Sequence, residues 1–184
     1  ENLQEVPMSV SAFTENFFLD SGVDRLDELD QYTPNLNITA STDSRSTSIR
    51  IRGIGSVGTN SGIDPSVGLF IDGVYQGRSG MSITDLVDIQ RVEVLRGPQG
   101  TLYGKNTSAG AISIVTNKPA VDFESFVEVG YDSNEQLELR GMVNLPLGDS
   151  GNALRLTAFG VDGDHLYDNT HTGRGVNDSN KCGT

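Results

Sequence analysis

Residues 90–119, QRVEVLRGPQGTLYGKNTSAGAISIVTNKP, constrain the fold more than any other stretch of the chain. Two β-type runs, 91–95 and 111–116, flank a segment that carries Gly97, Gly100, Gly104 and Gly110. Branched and aliphatic residues suit a pleated, half-buried surface, while glycine permits positive φ and close backbone approach. The pattern predicts two strands joined by a compact elbow. Arg91, Glu93 and Arg96 set charge directly beside the apolar positions, so these side chains need partners.

Upstream, residues 5–13 (EVPMSVSAF) alternate and predict a short strand, with Pro7 favouring a sheet edge. Thr14 is placed to cap a brief helix running to Asp20, and Ser21-Gly22 to end it. A second helix is expected over 24–31, with Val23, Leu26 and Leu29 on one face, Asp24, Asp27, Glu28 and Asp30 on a solvated one, and Pro34 closing it. Strands are expected at 35–40 and 46–52, followed by a glycine-rich loop over 53–62. Residues 67–71 and 74–76 flank Asp72-Gly73, a strong hairpin signal. A polar link over 78–81 and a helical turn over 83–89 lead into the opening stretch.

After Pro119 the texture changes to long amphipathic alternation. Phe123, Val127, Val129 and Tyr131 share one parity; Leu137, Leu139, Val143 and Leu145 share the next; Leu154, Leu156 and Ala158 follow. Turns are expected at 132–134 and 146–151, and a long polar loop over 165–184. The runs have the length of tilted membrane-crossing strands, about 9–11 residues. A soluble antiparallel meander alternates in the same way, so spacing alone leaves both open.

Charge and composition narrow the function. The 184 residues carry a net charge of −12 and a pI near 4.4. That acidity argues against a nucleic-acid partner, which demands a basic footprint. One cysteine, Cys182, excludes a disulfide within the chain. No signal pattern and no apolar run long enough for a membrane helix is present, though barrel strands leave a far weaker signal. The chain starts at Glu1 without an initiator Met and ends on a polar, patternless tail, as expected of trimmed ends or of part of something longer.

Three motifs fail on chemistry. Gly53-Ile-Gly55-Ser-Val-Gly58 matches GxGxxG, but TNSGIDP follows where a helix must open onto pyrophosphate. Gly100 to Thr107 resembles a phosphate loop one residue short, with Asn106 where the Mg²⁺-binding hydroxyl belongs. Asp162, Asp164, Asp168, His165 and His171 fit neither calcium nor zinc spacing. No metal or cofactor is expected. With no nucleophile elbow and no paired carboxylates in an apolar setting, nothing points to an enzyme.

Taken in order, EVPMSVSAF, DRLDELDQYTPNLNI, SIRIRGIG, LFIDGVYQG, DIQRVEVLRGPQGTLYGKNTSAGAISIVTNKP and the alternating strands resemble the N-terminal part of TonB-dependent outer-membrane receptors. The resemblance implies an α+β plug domain over 1–118, a small mixed sheet with short helices, followed over 121–184 by the first antiparallel strands of a transmembrane β-barrel and part of an extracellular loop. Such barrels have 22 strands and an obstructed lumen in the transporters of this kind. Implied too are a location in the outer membrane of a Gram-negative bacterium, contact with its lipid, and import of a scarce ligand, a ferric siderophore foremost. TonB would engage a segment upstream of Glu1 by strand addition. A plug-like binding or signalling module without transport is the alternative. Under this resemblance, Arg52, Glu93 and Arg96 are expected at the plug–barrel contact, with pairing inside the plug, such as Glu93 with Arg52, as the rival. Ligand contacts are expected in apical loops at Ser56, Thr59 and Asn60, and at Tyr75, Gln76 and Arg78.

Overall fold

The computed structural model describes residues 9–39, 47–56, 64–77, 86–131, 136–148, 151–163, 167–168, 175–176 and 181–183. The expected turn at 132–134 and the polar link at 78–81 lie outside these residues. The chain divides into two compact units, Glu1–Asn117 and Lys118–Thr184.

The first unit opens with β1 (Ser9–Thr14) and α1 (Glu15–Ser21). Gly22 ends α1 in the left-handed region at φ 67, its N–H bonded to Phe18 O at 3.0 Å. Thr14 occupies the N-cap, although its hydroxyl makes no capping bond. The second expected helix is a 3-10 helix, Leu26–Gln31. Val23, Leu26 and Leu29 are all buried, and their strict spacing of three is the 3-10 period, at which side chains eclipse. The carboxylates beside them are half-buried rather than fully solvated: Asp27 pairs with Arg25 at 3.0 Å, and Glu28 accepts the Asp24 N–H at 3.2 Å.

β2 (Leu36–Thr39) pairs antiparallel with β3 (Ser48–Ile51). β4 (Val67–Ile71) and β5 (Val74–Gln76) form a tight hairpin in which Asp72 (φ 48) and Gly73 (φ 80) both take the positive φ that a type I′ turn requires. The helical turn expected before the next strand is absent at its described residues: 86–88 are irregular, and Ile89 already belongs to a strand. There Leu86 N–H bonds the distant Asp24 O and Asp88 takes φ 55, so a long-range partner and a left-handed residue replace the helical pattern. β6 (Ile89–Arg96), the single-turn α2 (Gly100–Tyr103) and β7 (Gly110–Thr116) complete the unit.

Five strands make one mixed sheet in the order β1-β6-β7-β4-β5, antiparallel except for β7 against β4. Register aligns Val94, Ile112 and Leu69 in one row and Val92, Ile114 and Ile71 in the next. That face packs with Leu26, Leu29, Leu36, Ile38, Ile49 and Ile51 into the main core. The opposite face carries a smaller cluster, Phe70, Leu95 and Ala111 with Val10, Tyr75 and Tyr103.

The second unit is an antiparallel sheet in the order β13-β10-β9-β8, built from β8 (Glu124–Tyr131), β9 (Gln136–Pro146), β10 (Ala153–Gly163) and β13 (Lys181–Gly183). Leu147 N–H to Asn152 O at 2.8 Å closes the turn between β9 and β10. The polar tail is not all loop: β11 (Tyr167–Asp168) pairs with β12 (Gly175–Val176), and β13 adds to β10. Composition missed these short strands because an open strand edge recruits backbone N–H and C=O whatever the side chains are.

Candidate functional site

The elbow between β6 and β7 is zipped by its own backbone. Gly97 N–H bonds Ala109 O at 3.0 Å, and Gln99 N–H bonds Thr107 O at 2.9 Å. Thr107, almost fully buried, donates its hydroxyl to Gly104 O at 2.7 Å. These N–H groups are turned into the elbow and do not form an anion cradle, so the failed phosphate motif fails in geometry also. The other glycine motif has an equally structural purpose. Arg52 (φ 54) and Gly53 (φ 77) form a two-residue turn, closed by reciprocal bonds of 3.0 Å between Ile51 and Ile54. Gly55 lies so close to β3 that a Cβ there would meet Arg50 Cγ at 2.5 Å and the Ile49 carbonyl.

The charged trio separates into three environments. Arg52 is exposed at its turn tip, held in a backbone conformation that is uncommon for a long side chain, and its N–H bonds Asn35 O at 2.8 Å. Glu93 pairs with Arg91 at 2.7 Å, its neighbour two positions back along β6, and this is the partner it takes in place of Arg52. Arg96 donates from Nη1 to Pro34 O at 3.2 Å and from Nη2 to Ser11 Oγ at 3.1 Å, tying the edge strand β1 to the exit of the 3-10 helix. Its Nε is buried with no hydrogen-bond partner among the described residues, which makes this guanidinium costly to leave as it stands.

Among the loop candidates, Thr59, Asn60 and Arg78 lie outside the described residues. Ser56 stands at the foot of the first loop, donating to Asp64 O at 2.9 Å and sharing a hydrogen bond with Ser66 Oγ at 3.2 Å, while Ser48 Oγ donates to its carbonyl at 3.0 Å. Tyr75 and Tyr103 each pack a tilted ring against Phe70. The Tyr75 hydroxyl accepts from Asn106 Nδ2 at 2.9 Å, linking the hairpin to the elbow. Gln76 reaches back to Val74 O at 3.2 Å. Ser48, Ser66 and Asn106 escaped the sequence reading. Asn106 carried one usable signal, since asparagine tolerates the left-handed conformation that it adopts here at φ 67.

In the second unit, exposure runs opposite to an ordinary meander. Along β10, Leu154 and Leu156 are 42% and 53% exposed, whereas the Arg155 side chain between them is 9% exposed. Register places Val127, Val129 and Tyr131 on the same face as Leu137, Leu139 and Leu145, all exposed. The other face carries Glu138 with Arg140, Arg155 with Glu124 at 3.5 Å and the fully buried Asn144, together with Phe126 and the buried Met142. An apolar face left exposed, with most charged and amide groups gathered on the opposite face, is what a lipid-facing wall requires.

These features meet their counterpart in known proteins. The family profile described as TonB-dependent Receptor Plug Domain matches residues 2–111, and the chain belongs to that family. It is 38% identical over 130 residues to the pesticin receptor of Yersinia pestis, covering 71% of this chain and 19% of that protein. It is 26% identical over 158 residues to the ferripyoverdine receptor of Pseudomonas aeruginosa, covering 81% and 18%. Among solved structures, the ferric yersiniabactin uptake receptor FyuA from Yersinia pestis superposes with a TM-score of 0.76 at 32% identity, over 91% of this chain and 26% of that one. The chain thus spans about a fifth of the length of the curated relatives it matches.

Proposed function

We propose that the chain is the N-terminal part of an outer-membrane receptor that imports a ferric siderophore, with residues 1–118 as its plug and 121–184 as the start of its barrel wall. The observation that carries this reading is the pairing of a plug-family unit with a sheet whose leucines are exposed and whose Arg155 is buried. The receptor stands in the outer membrane. The ligand class comes from relatives named as receptors for ferripyoverdine and ferrioxamine B. The molecule binds and gates; it catalyses no bond change.

In this reading the plug is a two-state gate. Ligand bound outside favours the state that exposes a segment upstream of Glu1, TonB adds a strand to it, and the pull rearranges the plug. The ligand contacts belong to two segments: one that follows Ser56 and contains Thr59 and Asn60, the other that follows Tyr75 and Gln76 and contains Arg78. Ser56 and Tyr75 act at the base of these segments, where their hydroxyls are already engaged. Arg52, exposed on its turn, and Arg96, with one unsatisfied N–H, meet carboxylates of the wall, while Glu93 stays with Arg91.

The test is uptake of ⁵⁵Fe-labelled siderophores by cells whose own siderophore receptors are deleted, carrying the complete receptor gene, with and without TonB. Accumulation of iron from at least one siderophore, abolished without TonB, is expected. Binding without TonB-dependent accumulation across hydroxamate, catecholate and mixed siderophores would instead favour a binding or signalling module.

A further inference from the structure

The chain passes from one unit to the next after Asn117, and it is gripped by side chains on both sides of that point. On the near side, Asp72 accepts the Thr116 N–H on Oδ1 at 2.9 Å and the Thr116 hydroxyl on Oδ2 at 2.8 Å. Asp88 accepts the Asn117 side-chain amide on Oδ1 at 3.0 Å, and its carbonyl accepts the Asn117 N–H at 3.0 Å. Both aspartates sit at positive φ, 48 and 55, a conformation that aspartate tolerates better than most residues. On the far side, Asn144 accepts the Ala120 N–H at 3.1 Å and donates to the carbonyls of Ala120 and Asp122 at 2.7 and 2.6 Å. Asn144 is 0% exposed, so these bonds are shielded from water and hard to exchange.

Only Lys118 and Pro119 lie between the two grips, and both are exposed. Proline fixes its own φ and confines the preceding residue to extended conformations. The free torsions at the crossing are therefore few.

We propose that Asp72, Asp88 and Asn144 form a two-sided anchor that pins the chain where it leaves the plug sheet, so that only Lys118-Pro119 is left to swivel. The purpose rests on the transport reading: the C-terminal end of β7 stays held in its own sheet while elements nearer the N-terminus rearrange. Its chemistry is specific. Asn144 presents one acceptor to an N–H and two donors to carbonyls, so Asn144→Asp, nearly identical in shape, sets a carboxylate oxygen against two carbonyl oxygens. Asp72 meets two donors of one residue, and Asp72→Ala removes both bonds.

The test is amide hydrogen exchange on the 184-residue chain in detergent micelles. In the wild type, the Thr116 and Ala120 amides exchange slowly while the Lys118 amide between them exchanges fast. Asn144→Asp accelerates exchange at Ala120 about tenfold or more without touching Thr116, and Asp72→Ala does the reverse. A chain with Lys118→Gly and Pro119→Gly keeps both amides protected, and this variant touches neither grip should the others fail to fold. Fast exchange at both amides in the wild type, or loss of their protection in the double-glycine chain, overturns the proposal. Failed iron uptake with a pinned junction would count against the transport reading alone.

Discussion

Gly110 shows how closely the first unit is packed around its elbow. A Cβ built there would meet Ile51 Cδ1 at 2.7 Å and the Leu95 carbonyl, which belongs to the neighbouring strand and cannot step aside. Gly110→Ala is expected to destabilise the chain by about 3 kcal/mol, the upper end of ordinary overpacking costs, read as a shift in its denaturation midpoint. An unchanged midpoint would mean that β7 sits further from β3 than the structure has it. The glycine itself was legible as a residue that permits close approach, but the neighbour it accommodates was not. At this scale the sequence also showed Asp72 as a turn former and left its second task invisible: the carboxylate reaches a strand 44 positions later in the chain. Arg96 was recognisable as a cation in need of partners, yet Ser11 and Pro34 were not foreseeable, because they are 85 and 62 positions away.

Elements were legible where the signal was periodic and misjudged where it was short. The Asp72-Gly73 hairpin follows from turn chemistry alone, since few residue pairs accept positive φ twice in succession. The stripe at Val23, Leu26 and Leu29 marks a buried face, but the spacing of three between Leu26 and Leu29 belongs to a 3-10 helix, whereas an α-helical stripe mixes threes and fours. Because Leu29 is completely buried, Leu29→Ala is expected to cost about 2–5 kcal/mol through lost contacts and the cavity left behind. A loss below about 1 kcal/mol in chemical denaturation would indicate that the 3-10 helix is dispensable to the core. β11, β12 and β13 could not be seen in advance, as strands of two or three residues carry too few side chains to set a pattern.

At the scale of the whole molecule, spacing alone could not decide between a soluble meander and a membrane wall, because both alternate with a period of two; only the family resemblance favoured the wall. Exposure separates them. A meander that hid its apolar face would bury Leu154 and Leu156 and expose Arg155, whereas this sheet does the opposite. β9 and β10, at 11 residues each, have the length of tilted spanning strands. Phe123, just before β8, and Tyr131, its last residue, are 64% and 73% exposed, where an aromatic girdle at the two membrane surfaces would place them. The plug and the wall thus have opposite rules of burial within one chain, which is why overall composition described neither.

Whether β9 and β10 form a membrane wall is decided by a cysteine scan along both strands of the complete receptor in membranes, with Cys182 replaced by Ser. Single cysteines at 139, 140, 142, 143, 154, 155, 156 and 157 would carry a fluorophore challenged in turn by a lipid-soluble and a water-soluble quencher. Strict alternation is expected: Leu139, Val143, Leu154 and Leu156 positions are quenched from lipid, and Arg140, Met142, Arg155 and Thr157 positions are shielded from it. Equal quenching by the aqueous reagent at positions 139, 143, 154 and 156 would contradict a membrane wall, and would return the second unit to a soluble sheet.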